Sequence, residues 1–87
     1  MPSNRRERIY DKIIESISEV SGVEPSELNS QTSLLNDLNL DSLAMFEIVI
    51  DLEEAFKMQI SDEDIDRIKT IQDILDFVDR ASGPDGK

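Results

Sequence analysis

Apolar residues in this chain recur at intervals of three and four, and nowhere do they alternate with polar ones over the length of a strand. That period lines side chains along one face of a helix, whereas a strand needs a period of two. The chain can bury its apolar groups only by packing helices together. Segment 4–20 places Ile9, Ile13, Ile17 and Val20 on one stripe, with Tyr10 and Ile14 at its edge. Ser3 or Asn4 can cap its start, and Ser21-Gly22 stops it. Residues 21–41 carry Pro25, several Ser and Asn, and no clean period. Val23, Leu28, Leu34, Leu35, Leu38 and Leu40 recur there, which predicts a long loop pinned to the core.

Segment 42–57 predicts a second helix whose core face holds Met45, Ile48, Val49, Leu52 and Phe56. Leu43, Phe46 and Ile50 fall on its other side, among Glu47, Asp51, Glu53 and Glu54. Apolar groups set among outward carboxylates have the make-up of a docking patch, although scattered surface apolars are also normal. Ser61 with Asp64 signals the cap of a short third helix bearing Ile65 and Ile68. Thr70 with Asp73 repeats the device before the stripe Ile71, Ile74, Leu75 and Val78, which Gly83-Pro84 ends. The expected fold is all-α. It is a small four-helix bundle with three principal helices, one short third helix, and a long loop between helices one and two. One domain is expected over residues 1–87, with its core at about 4–82 and a flexible tail at 83–87.

At 87 residues there is room for one modest core, and 38% hydrophobic content is enough to form it. No apolar run is long enough to span a membrane. No charged-then-apolar leader opens the chain, so a cytoplasmic location is expected, and the lack of cysteine is compatible with it. A net charge of −11 argues against nucleic acid, whose phosphates demand the opposite sign. Arg5, Arg6, Arg8 and Lys12 crowd the first turns, whereas between Asp37 and Asp66 only Lys57 stands against ten carboxylates. That stretch suits a basic surface on another protein, or serves simply as a solvated acidic face.

Ser42, in Asn39-Leu40-Asp41-Ser42-Leu43, opens the second helix. Serine at such a position is commonly an N-cap, but Asp41 caps equally well and leaves the Ser42 hydroxyl to point outward. A serine nucleophile needs a base, and the chain contains no histidine; a Ser-Lys pair finds no lysine before residue 57 except Lys12. Paired carboxylates need a desolvating cleft that so small a domain can hardly provide. No intrinsic enzyme is expected. Asp62, Asp64 and Asp66 mimic three ligands of a calcium loop, but Arg67 stands where glycine is needed and Asp73 where a bidentate glutamate is needed. No metal site is expected. An exposed serine without catalytic partners reads as an attachment point, and a phosphate there would lie against the positive end of the helix.

The run Leu35-Asn36-Asp37-Leu38-Asn39-Leu40-Asp41-Ser42-Leu43 resembles the heart of an acyl carrier protein. Glu47, Leu52, Glu53, Glu54 and Phe56 are similar to the helix that follows in that family. Ile60-Ser61-Asp62-Glu63-Asp64 and Ile68-Lys69-Thr70-Ile71 are similar to its third helix and the approach to the fourth. The likeness runs from about Ile9 to Val78. It implies that Ser42, beside Asp41, is esterified by 4′-phosphopantetheine, donated from coenzyme A by a phosphopantetheinyl transferase (holo-carrier synthase). Acyl groups would ride on the arm as thioesters. Asp41, Glu47, Asp51, Glu53 and Glu54 would meet basic docking surfaces on acyl-transferring and condensing enzymes, with Leu43 and Ile50 as the apolar centre. Met45, Ile60, Ile65 and Ile68 would line the acyl-chain cleft, and the carrier would act as a monomer.

Some positions depart from the common fatty-acid type. Asn39-Leu40 replaces a Gly-Ala-like pair, Asp51 replaces a smaller residue, and Phe46 and Ile65 are bulkier than usual. A β-branched residue at 65 would project toward the cleft and suit a short or polar cargo. Fatty acid, polyketide and other specialised acyl synthesis all remain open, as does an aminoacyl or peptidyl carrier. From another class, an acidic interaction module without a prosthetic group competes, and a calcium-responsive helical protein is more remote.

Overall fold

Ile9, Ile13 and Ile17 lie one turn apart, and burying them fixes the first helix as the centre of the molecule. The computed structural model describes residues 5–82. Its elements are α1 (Arg5–Ser21), a short 3₁₀ turn (Pro25–Glu27), α2 (Ser42–Phe56), α3 (Asp62–Arg67) and α4 (Ile71–Ser82). Helix α1 packs against both α2 and α4. Ile48, Val49 and Leu52 of α2 and Ile71, Ile74 and Val78 of α4 complete one apolar core with it. The bundle is the expected all-α one, with α3 the short member.

Some details differ from the periodicity. Ile14, expected at the edge of the α1 stripe, is buried, whereas Val20 is only half-buried. The stripe is rotated because α1 has neighbours on two sides. The caps expected at Ser3 or Asn4, the stop at Gly83-Pro84 and the tail 83–87 lie outside the described residues. At the other end of α1, Gly22 takes φ +79°, and its N–H donates to the Ser18 carbonyl at 2.8 Å.

The long loop is held by its backbone. Leu28, Leu34 and Leu40 are buried, Val23 and Leu38 are half-buried, and Leu35 remains exposed. The first amides of α4, which have no partner inside their helix, donate to loop carbonyls: Ile71 to Thr32 (3.2 Å) and Gln72 to Ser30 (2.8 Å). Leu34 N–H donates to the Lys69 carbonyl at 2.9 Å, and an isolated antiparallel bridge joins Ser33 to Thr70. Helix α3 starts with the expected capping box, Ser61 and Asp64 each accepting the other's amide. Thr70 and Asp73 bond reciprocally at the start of α4, at 3.2 and 3.1 Å.

Candidate functional site

The loop delivers its last residues to α2 in a fixed order. Asn39 sits at φ 57°, a left-handed conformation that asparagine tolerates better than most residues. That turn allows Leu40 to bury itself and donate its N–H to the Leu34 carbonyl at 3.1 Å. Asp41 then follows in extended geometry as the N-cap, its carboxylate accepting from Ala44 N–H at 2.9 Å. Ser42 is the first helical residue and is exposed. No described group bonds its hydroxyl.

Helix α2 presents one outward face from that point. Leu43 is 67% exposed and Ile50 42%, and Glu47 and Glu54 are exposed at the spacing that continues their line. Asp51 and Glu53 do not belong to it in the same way. The Asp51 carboxylate accepts a hydrogen bond from the Ser16 hydroxyl, which is 1% exposed, and stands 3.8 Å from the Lys12 ammonium. Glu53 accepts from Ile60 N–H at 2.6 Å and so closes the connection from α2 to α3. Both carboxylates thus serve the fold while staying partly exposed, whereas Leu43, Glu47, Ile50 and Glu54 stand exposed on the outward face.

Beside Ser42 a cleft of about 330 Å³ opens between α2 and α3. Met45, Ile65 and Ile68 line it, as do Asp41 and Ser42. Ile60, expected among them, is buried in the core like Met45 and Ile68 but does not reach the lining, and its amide is held by Glu53. Leu35, Phe46 and Lys69 also line the cleft, a role that reading the sequence did not give them. Phe46 carried a usable signal, since it stands one turn from Ser42 on the same helix. Leu35 and Lys69 carried none, because only the docking of the loop on the α3–α4 junction brings them there. Asp62 and Asp66 complete the rim. Among the described residues no group of three or more carboxylates is arranged to hold a metal ion. None of the described helices is long and apolar enough to cross a membrane.

A hydroxyl spared from capping, at the mouth of an apolar cleft and beside an acidic and apolar helix face, suits attachment and presentation. Comparison with known proteins identifies the family. Residues 11–78 match the family described as "Phosphopantetheine attachment site". A meromycolate extension acyl carrier protein of Mycobacterium leprae is 37% identical over 75 residues, 86% of this chain. The chain spans only 65% of that relative's length. The acyl carrier protein of Thermotoga maritima is 35% identical over 90% of this chain and 96% of its own. A solved structure of the acyl carrier protein from Enterococcus faecalis superposes with a TM-score of 0.73 at 34% identity, covering 84% of this chain and 92% of that one. In family signature, relatives and fold alike, the chain belongs to the acyl carrier proteins, which bear a covalent 4′-phosphopantetheine.

Proposed function

We propose that this chain carries acyl intermediates as thioesters on an arm esterified to Ser42, and presents them to enzymes of fatty acid, polyketide or related specialised acyl synthesis. The observation that carries the reading is the division of labour at the start of α2. Asp41 takes the cap, so the Ser42 hydroxyl is exposed and unengaged. The fit is good on steric grounds too, because the hydroxyl opens both to solvent and to the cleft.

Loading is a phosphoryl transfer. Ser42 Oγ forms a bond to the phosphorus of coenzyme A that bears the pantetheine. The bond from that phosphorus to the adenosine bisphosphate breaks, and the leaving group departs with the electron pair. The hydroxyl proton goes to a base on the transferase, since no described group of this chain is hydrogen-bonded to the Ser42 hydroxyl to take it. Once attached, the arm supplies the thiol that a cysteine-free chain lacks.

The chain's own residues then bind and shelter. Leu43 and Ile50 offer an apolar centre, and Glu47 and Glu54 flank it with charge for basic partner surfaces. Such an interface steers association without holding the partner tightly, as a shuttle requires. Leu35, Met45, Phe46, Ile65 and Ile68 form the apolar lining for cargo. The half-buried, β-branched Ile65 occupies space in that cleft, and favours short or polar cargo. Likeness to the mycobacterial carriers, whose name assigns them to meromycolate extension, supports a lipid pathway.

Intact-mass measurement after incubation with coenzyme A and a promiscuous phosphopantetheinyl transferase tests attachment. The wild type gains one arm and Ser42→Ala gains none. A gain that survives Ser42→Ala, or no gain in the wild type, refutes the reading. Cargo is tested by thioester hydrolysis. Ile65→Ala slows the loss of long acyl groups relative to short ones, and unchanged relative rates would count against a cleft restricted at residue 65.

A further inference from the structure

We infer that Lys69 is the built-in counter-charge for the phosphodiester at Ser42, an inference that rests on the attachment just proposed. Ser42 and Lys69 line the same cleft. Their relative position is set by the backbone. Lys69 O accepts from Leu34 N–H (2.9 Å), and Leu34 O accepts from Leu40 N–H (3.1 Å), two residues before Ser42. On its other side the Lys69 amide donates to the Asp73 carboxylate at 2.9 Å, which ties it to the first turn of α4. The residue is clamped from both directions while its side chain is exposed.

The electrostatic surroundings give that position a purpose. Every other ionisable side chain lining the cleft is acidic: Asp41, Asp62 and Asp66. Esterification of Ser42 places a further negative charge in the same cleft, where like charges repel. Lys69 is the one cation in the lining, and no described carboxylate pairs with its ammonium. Its four-carbon stem gives the ammonium reach across a cleft of this size. The sequence alone did not single it out, because it stands 27 positions beyond Ser42 (69 against 42).

The test compares apo and holo forms of the wild type, Lys69→Met and Lys69→Arg, the holo forms verified by mass. At about 10 mM salt, where screening is weak, wild-type apo and holo protein melt together. Holo Lys69→Met melts about 2–4 °C below its own apo form. Lys69→Arg restores the wild-type behaviour, and about 0.5 M salt closes the gap. The ³¹P resonance of the phosphodiester also shifts between wild type and Lys69→Met. A merely structural lysine would lower apo and holo forms alike. Equal holo-minus-apo differences in wild type and Lys69→Met overturn this inference and leave the attachment standing. Failure of the wild type to gain the arm overturns both.

Discussion

Asp41 and Ser42 are adjacent, both short and polar, and either can cap a helix; the fold assigns them different tasks. Asp41 bonds the Ala44 amide, and Ser42 bonds nothing described. Asp41→Ala should therefore lower stability by about 1 kcal/mol, the usual cost of a lost cap. Ser42→Ala should cost less than about 0.5 kcal/mol, as for an exposed residue without partners. Urea unfolding of both variants checks the contrast, and equal losses would mean that the cap is shared. This pair was legible in the sequence because capping is local chemistry, settled within three residues. Asp51 was not: its carboxylate answers to Ser16 on α1, 35 positions away, and no local pattern reveals that partner. Ile60 escaped for the same reason, since its place depends on the side chain of Glu53.

At the scale of elements, helix types and core faces followed from periodicity, while the junctions between them did not. The bonds from the loop to residues 69–72 join backbone groups, which leave no mark on side-chain pattern. The pairing of α1 with α4 is likewise a matter of tertiary contact. Arg6 reaches across to Asp76 (2.9 Å) and Asp79 (2.8 Å). The hydrogen bond from Arg6 holds the Asp76 carboxyl below its ordinary value, against a smaller opposing effect of burial. A depressed carboxyl contributes stability that is present above the unfolded value, about 3.9, and is lost as pH falls through the lower folded value. The stability gap between wild type and Arg6→Gln should hold from pH 7 to 5 and shrink below about pH 4. Unfolding curves across that range decide it, and a gap that persists at the acid end would assign Arg6 a packing role instead.

The molecule as a whole carries 20 acidic residues against nine basic ones, a surplus that repels itself in the folded state. Added salt should raise its melting temperature between about 10 mM and 150 mM, as the screening length falls from about 30 Å to about 8 Å. A melting temperature that falls over this range would show that exposed pairs such as Arg6–Asp76 outweigh the repulsion. The acidity and its concentration between Asp37 and Asp66 were plain in the sequence; the loop's attachment to the far end of the chain was not. That attachment has a consequence for biogenesis. The residues that clamp the segment before Ser42 are Lys69, Ile71 and Gln72, so they leave the ribosome some 30 positions after it. A nascent chain that has exposed Ser42 but not yet Gln72 has no finished setting for that serine. Its proper presentation is thus reserved for chains in which residues 69–72 have been made and docked on the loop.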